Sequence, residues 1–263
     1  MKTVTLSRLN AFKHAQEPFS CLTAYDASFA QHADAAGIDV LLVGDSLGMV
    51  LQGHASTLPV TLDDILYHTR CVARGKQRSL LMVDLPFMSN ADTSQLLRDA
   101  GALMRAGAEL VKIEGAGWMH EGVRELTRRG VPVCAHLGLT PQSVHQFGGY
   151  KVQGREQDDA QRIIDDARLL VEAGASVILL ECVPAALGRA VRDAVDVPVI
   201  GIGAGPEVDG QILVMHDVIG VTHGRPPRFA KNFLAGRDSI QAAFEAYRDA
   251  VKTRQFPAEE HCF

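Results

Sequence analysis

Six polar or charged residues interrupt short apolar segments of the sequence and could together do acid–base or metal chemistry. Each lies at or near the end of an apolar run, the position predicted for the carboxyl end of a β-strand. A single acid at such a point is often only a helix N-cap or a turn former, and for Asp45 alone the two interpretations are balanced. Six in succession favour a common site: Asp45, Asp84, Lys112, Glu114, His136 and Glu181.

Two of these charges lie inside one predicted strand, LVKIEG. Side chains alternate between the two faces of a strand, so Lys112 and Glu114 share one face while Val111 and Ile113 share the other. Capping gives no reason for charges in this position, and buried charges persist only when they are paired or bound to metal. The alternative is an internal Lys112–Glu114 ion pair that fills the interior. The further acids nearby favour a functional site.

The residue types also indicate which chemistry the site performs. Several carboxylates with one nearby histidine and no cysteine pair form an oxygen-rich site that suits Mg²⁺ better than Zn²⁺. Glu181 ends the apolar segment VILLEC, where burial would raise its pKa toward the range of a general base; a strand-end acid in an ion pair is the alternative. His136 could be a proton shuttle, a metal ligand or a hydrogen-bonded structural imidazole, and we expect the last of these.

The elements that must position these residues form an alternating pattern. Short apolar runs alternate with segments of helical periodicity, as in a parallel sheet wrapped by helices. A chain of 263 residues is close to the roughly 250 of a lone (βα)8 TIM barrel, so we expect this α/β fold in preference to an open doubly wound sheet. The candidate strands, of which the last is the weakest, are FSCLTA, DVLLVGD, SLLMVDL, ELVKIEG, VPVCAHLG, SVILLEC, VPVIGIGAG and QILVMHD.

We expect one barrel domain over residues 1–263, with a short N-terminal amphipathic segment and a closing helix over 237–253. Gly107, Gly130 and Gly174 stand where helices are predicted to stop before a strand. The longest departures from the alternation are residues 47–61 and 137–155. Both follow strands, and such loops build the active-site face of a barrel.

The glycine-rich segment GIGAG, residues 201–205, is a weak match to a dinucleotide fingerprint because it lacks the GxGxxG spacing and follows a late strand. Glycines there could instead let a ligand approach the backbone at the barrel mouth.

Composition excludes several classes of protein. With 47% hydrophobic and 22% charged residues and a net charge of −5, the chain has no basic field for nucleic acid. The five cysteines are an odd number without paired spacing, which indicates neither a disulfide framework nor a cysteine zinc site. The N-terminal segment has no apolar signal core, and no apolar run reaches membrane-spanning length. We therefore expect a cytoplasmic protein without a membrane or nucleic-acid partner.

Longer motifs carry a family resemblance from about TAYDASFA to the C-terminus. The most specific are LLVGDSLGMVLQGHASTLPVTLDD, LMVDLPFM, AGAELVKIEG, PVCAHLGLTPQSVHQFGGYKVQGR, LLECVP and PVIGIGAGPEVDGQILVMHD. In these the chain resembles the ketopantoate hydroxymethyltransferase family. Two departures, Arg228 in place of the family's usual lysine and the segment HGRPP, bear on peripheral contacts and not on the acids.

The resemblance implies an activity: transfer of a one-carbon unit from methylenetetrahydrofolate, the co-substrate, to 3-methyl-2-oxobutanoate, which gives 2-dehydropantoate for pantothenate biosynthesis through a Mg²⁺-stabilised enolate. It also implies a homodecamer with one Mg²⁺ per subunit. In the matching positions Asp45, Asp84 and Glu114 belong to the metal site. Asp45, Ser46, Asp84 and Lys112 contact the oxo acid, and Glu181 is the proton acceptor. The resemblance assigns no folate-binding residues.

Two rival functions stay open on the sequence alone. One is a Mg²⁺-dependent carbon–carbon lyase or phosphonomutase of the phosphoenolpyruvate-type barrels, which would be expected to carry a different, often cysteine-containing mobile loop. The other is a non-catalytic barrel that binds 2-oxo acids. Loss of one of the key acids or of Lys112 would favour that second rival, and all of them are present.

Overall fold

The computed structural model describes residues 3–222 and 224–263, and in these residues eight strands form a closed parallel barrel in chain order. The (βα)8 fold predicted from the sequence is therefore confirmed, including the weakest strand. The strands are β1 Phe19–Thr23, β2 Val40–Val43, β3 Leu80–Asp84, β4 Leu110–Glu114, β5 Val133–Gly138, β6 Val177–Glu181, β7 Val199–Ile202 and β8 Gly210–Leu213.

Helices cover the outside of the barrel, and a few short helices lie within its loops. Apolar side chains on their inner faces pack against the strands, whose residues are almost all buried. The helices are α1 Leu6–Ala15, α2 Ala27–Ala35, α3 Leu47–Val50, α4 Leu62–Gly75, α5 Thr93–Ala106, α6 His120–Thr127, α7 Val144–Phe147, α8 Gln157–Glu172, α9 Ala185–Ala194, α10 Met215–Val218 and α11 Ile240–Lys252.

The helix stops predicted at glycine are confirmed. Gly107, Gly130 and Gly174 have φ angles of 119°, 81° and 107°, a region that other residues rarely adopt, and each leads into the next strand. The two long loops are less irregular than the sequence indicated. Residues 47–61 begin with α3, and residues 137–155 contain α7.

The predicted closing helix, α11, is also confirmed and secures the seam of the barrel. Ser239 caps its N-terminus by accepting a hydrogen bond from the backbone N–H of Ala242. The buried Tyr247 hydroxyl lies 2.9 Å from the carbonyl oxygens of Cys21 in β1 and Gln211 in β8. The Tyr247 hydroxyl thus connects β1 with β8, the first and last strands of the closed barrel.

The N-terminal amphipathic segment forms α1, which buries Leu9 and Phe12. The Phe12 ring stacks on Phe19 of β1 with 6.1 Å between the ring centroids. None of the helices in the described part of the chain is long and apolar enough to span a membrane.

Strand register brings the polar residues to one end of the barrel. Asp84 of β3 is paired with Lys112 of β4, and Glu114 is paired with His136 of β5. Glu181 ends β6 beside Gly138. Because the strands are parallel, their carboxyl ends converge at one mouth, as expected for the active-site face.

Candidate active site

The carboxyl ends of the strands open into a cavity of about 490 Å³. This volume lies within the range of about 300–1,000 Å³ that is typical of small-molecule sites. Every site residue predicted from the sequence lines it: Asp45, Ser46, Asp84, Lys112, Glu114, His136 and Glu181.

Lys112 and Asp84 form a buried ion pair at the bottom of the cavity. The Lys112 Nζ lies 2.5 Å from Asp84 Oδ1 and 3.9 Å from Glu114 Oε1. Burial disfavours the lysine charge, but the carboxylates of Asp84, Glu114 and Asp45 outweigh it and raise the pKa of Lys112. Lys112 is therefore a cation at neutral pH. The internal Lys112–Glu114 pair considered from the sequence is present at 3.9 Å, but Asp84 is the nearer partner, and all three side chains line the cavity.

Asp45 stands beside Asp84 with little to compensate its charge. The backbone N–H of Asp45 donates to Asp84 Oδ2 at 3.0 Å, and the Asp45 side chain accepts from Gln142 Nε2 at 2.9 Å. Burial, followed by repulsion from Asp84 and Glu114, raises the pKa of Asp45 well above its ordinary value. A divalent cation between Asp45 and Asp84 would remove this repulsion, so the donor set fits a metal that prefers oxygen ligands.

Glu114 lies next to Lys112 and is also buried. Burial raises its pKa to about 7, although Lys112 acts in the opposite sense. Its Oε2 accepts from the backbone N–H of Gln142, while its Oε1 is buried without a hydrogen-bond partner. Across the described ranges, no three His, Cys, Asp or Glu side chains are grouped closely enough to hold a metal by themselves. The geometry thus fits two direct carboxylate ligands, with water and substrate completing the coordination.

His136 bridges two carboxyl groups. Its Nδ1 lies 3.5 Å from Glu114 Oε1 and its Nε2 lies 3.4 Å from Glu181 Oε2. Both nitrogens face a carboxylate oxygen, although neither pair meets hydrogen-bond geometry, so the structural role expected from the sequence stays a prediction. Burial and the nearby Lys112 lower the pKa of His136. The imidazole is therefore a polar spacer between two acids.

Glu181 is the acid that faces the open part of the cavity. Its side chain is 16% exposed, compared with 3% and 4% for the side chains of Asp84 and Glu114. Burial raises the pKa of Glu181, as the sequence predicted, while contact with His136 acts in the opposite sense. A carboxylate with a raised pKa and access to the cavity is suited to accept a proton from a bound molecule.

Sequence reasoning missed two residues that hydrogen-bond to the predicted site residues. Gln142 links Asp45 and Glu114 and also donates to the Leu85 carbonyl at 3.0 Å. Its loop, 137–155, was recognised as part of the active-site face, but nothing in the sequence distinguished this amide. Tyr25 follows β1 and is buried. Its hydroxyl oxygen lies 2.9 Å from the hydroxyl oxygen of Ser46.

The GIGAG segment serves packing. Gly203 has a φ of 62°, and a Cβ there would lie 2.9 Å from the Phe263 ring and 3.0 Å from the Phe229 ring. Aromatic side chains, rather than a ligand, occupy the space beside this glycine. The expectation of a ligand approach at this backbone position is therefore wrong for Gly203.

Comparison with known proteins decides the family. The family model described as ketopantoate hydroxymethyltransferase matches residues 3–259. The chain belongs to the ketopantoate hydroxymethyltransferase family. Among curated relatives, the 3-methyl-2-oxobutanoate hydroxymethyltransferase of Shewanella loihica is 60% identical over 263 residues, with 100% of both chains covered. The relative of the same name from Marinobacter nauticus is 60% identical over 260 residues, 99% of this chain and 98% of that one.

The barrel of this ketopantoate hydroxymethyltransferase family member also resembles solved structures outside the family. A crystal structure of phosphonopyruvate hydrolase in complex with oxalate and Mg²⁺ has a TM-score of 0.62 at 14% identity, over 81% of each chain. At this identity the likeness shows the shared fold alone. The rival lyase or phosphonomutase function therefore gains no support beyond the barrel.

Proposed function

We propose that the chain transfers the one-carbon unit of methylenetetrahydrofolate to 3-methyl-2-oxobutanoate and releases 2-dehydropantoate. The observation that carries this proposal is the convergence of three acids, a lysine and a more exposed glutamate on one cavity, in a chain that matches the family model over residues 3–259. This set can bind a 2-oxo acid, support a divalent cation and accept a proton.

The oxo acid would bind over the bottom of the cavity. Lys112 supplies a buried positive charge for its carboxylate, and Ser46 supplies a hydroxyl that Tyr25 holds in place. Asp45 and Asp84 would complete the contacts with the oxo acid. This arrangement would leave C3 of the oxo acid on the side of the cavity where Glu181 is exposed.

Asp45 and Asp84 would hold the Mg²⁺, with Glu114 as a supporting acid. The pKa of Asp45, raised by burial and then by repulsion from Asp84 and Glu114, supports this assignment, because a bound cation would offset both effects. When bound, the cation would polarise the keto group of the oxo acid and so lower the free energy of the enolate. Gln142 orients Asp45 and Glu114 for this role through its two hydrogen bonds.

Glu181 would act as the base. It accepts the C3 proton, and the electron pair of that C–H bond forms the new carbon–carbon bond to the methylene carbon. The two bonds from that carbon to the folate nitrogens break, and one water supplies the hydroxyl group of the product. The two nitrogens take up the proton that left C3 and the second proton of that water, which releases tetrahydrofolate. Burial raises the pKa of Glu181, which makes it a stronger base than an ordinary glutamate.

Product analysis tests the activity. We expect purified protein with both substrates and Mg²⁺ to form 2-dehydropantoate, detected by mass spectrometry, and to lose this activity on chelation of the metal. If no 2-dehydropantoate forms, whichever substrate is added first and whichever divalent cation is supplied, the proposed function is wrong.

The decameric assembly and the cytoplasmic location remain proposals that the resemblance supports. Light scattering would give a mass ten times that of the 28.4 kDa chain if the assembly is a decamer. A different multiple would refute it.

A further inference from the structure

The cavity has two parts of opposite charge. Its floor carries the acids with Lys112. Its outer rim, which we define as Tyr150, Arg225, Arg228, Phe229 and Phe263, carries cations and aromatic rings. The chain as a whole has a net charge of −5, so the two rim arginines form a local positive charge on a negatively charged protein. The mechanism above uses only the floor.

The aromatic half of the rim is fixed in position. Phe229 and Phe263 pack beside Gly203 at the end of β7, and the Phe263 carbonyl accepts from the backbone N–H of Ala185 at 3.2 Å. The Arg228 guanidinium lies 5.5 Å from the centroid of the Phe263 ring. Its Nε donates to the Glu260 carbonyl at 3.0 Å. Arg228 is therefore held at the mouth by one edge of its guanidinium.

The remaining donors of the rim have no partner in the part of the chain that the structure describes. The two terminal amino groups of Arg228 make no hydrogen bond or ion pair there, and neither does the guanidinium of Arg225. Both side chains are exposed. The terminal amino groups of Arg228 and the guanidinium of Arg225, on a rim that also carries aromatic rings, form a site for a ligand with carboxylates and a flat ring.

Tyr150 connects this rim to the floor. Its ring is 51% exposed, and its hydroxyl lies 3.5 Å from the Met49 sulfur. Burial, and then the carboxylates of Glu181 and Asp45, raise the pKa of Tyr150. The Tyr150 side chain is therefore close enough to the floor for the carboxylates there to act on its hydroxyl group. A ligand that spans rim and floor would pass along this ring.

We infer that the rim binds the tail of the folate co-substrate, with the aminobenzoyl ring against the aromatic side chains and the glutamate carboxylates on Arg225 and Arg228. This inference rests on the proposed function, which already places the methylene carbon beside Glu181. The small oxo acid has a single carboxylate, for which Lys112 is available on the floor. The rim cations therefore suit the larger anion, whose negative charges lie far from the reacting carbon.

Binding measurements with a matched pair of ligands test the inference. Titration calorimetry, with Mg²⁺ and 3-methyl-2-oxobutanoate present, would give dissociation constants for tetrahydrofolate and for 6-methyltetrahydropterin, which lacks the tail. We expect Arg225→Ala to weaken tetrahydrofolate binding about three- to tenfold, the usual effect of one partly exposed charge-assisted hydrogen bond. Arg225→Ala combined with Arg228→Ala should weaken it further. Binding of the pterin should stay within twofold in both.

Two control variants separate charge from folding. Arg228→Lys keeps the cation and should retain most of the affinity. Arg168→Ala removes an exposed arginine of α8, outside the cavity lining, and should leave both dissociation constants unchanged. The inference fails if the double variant binds tetrahydrofolate as tightly as the unaltered protein. It also fails if binding of the pterin weakens as much as binding of tetrahydrofolate. A change in the variant's assembly mass without a selective weakening of tetrahydrofolate binding would likewise overturn it.

The outcome is distinguishable from failure of the proposed function. Exchange of the C3 proton of the oxo acid needs no folate and reports on the floor alone. Absence of that exchange in the unaltered protein would count against the proposed function. Normal exchange with unaltered tetrahydrofolate binding in the double variant would overturn the rim assignment alone.

Discussion

Replacing Lys112 by methionine tests the electrostatics of the cavity floor. The change keeps a long side chain but removes the cation that lies 2.5 Å from Asp84 and 3.9 Å from Glu114, both almost fully buried. Breaking a buried ion pair from one side costs about 3–5 kcal/mol because it leaves a charge uncompensated. We therefore expect Lys112→Met to lower the free energy of unfolding by about 3–4 kcal/mol at pH 7.

The loss should depend on pH. A carboxylate that has lost its cation can take up a proton, which costs about 4 kcal/mol at pH 7 and about 1.5 kcal/mol at pH 5 for an aspartate with a reference pKa of about 3.9. The destabilisation is therefore expected to shrink as the pH falls, because protonation of a carboxylate that has lost its cation becomes less costly.

Denaturant unfolding at one fixed protein concentration, at pH 5 and pH 7, measures this effect. Asp84→Asn supplies the matched control. The double variant should be more stable than Lys112→Met alone by at least about 2 kcal/mol, since it no longer buries that unpaired charge. A loss below about 1 kcal/mol that is the same at both pH values would refute the reasoning.

Three further predictions concern the parts around the floor. Tyr25→Phe removes the hydroxyl 2.9 Å from Ser46 and should raise the KM for the oxo acid about two- to tenfold with little change in kcat; an unchanged KM would exclude a positioning role. Gly203→Ala places a Cβ against two phenyl rings and should lower the free energy of unfolding by about 1–3 kcal/mol more than Gly130→Ala, where φ is also positive but the space is open; equal losses would contradict this. Because burial raises the pKa of Glu181 and the base must be ionised, C3 exchange should fall as the pH is lowered through a pKa above the ordinary value of about 4.3; a pH profile with that ordinary pKa would count against Glu181 as a buried base.

The sequence predicted the barrel well because its signals are local. Short apolar runs mark the strands, and three of these strands end in an acid; glycines mark the predicted helix stops. The order of the strands could therefore be predicted without tertiary information. The shared face of Lys112 and Glu114 followed from strand periodicity alone, and both line the cavity.

The missed features depend on contacts between distant segments. Gln142 lies 97 positions from Asp45, and Tyr25 lies 21 positions from Ser46, so neither hydrogen bond has a sequence pattern. The expectation for Gly203 failed for the same reason, since the C-terminal Phe263 folds back across 60 residues to occupy the space. His136 was recognised as a site residue, but its place between two carboxyls became visible only through the register of β4, β5 and β6.

The central claim is that Glu181 removes the C3 proton of the oxo acid, and exchange of that proton in deuterated water tests it most directly. Nuclear magnetic resonance would follow loss of the C3 signal of 3-methyl-2-oxobutanoate with Mg²⁺ and no folate. The unaltered protein should exchange the proton, whereas Glu181→Gln should bind the oxo acid and slow exchange by about 10²- to 10⁴-fold. Exchange by Glu181→Gln at the unaltered rate would contradict the account.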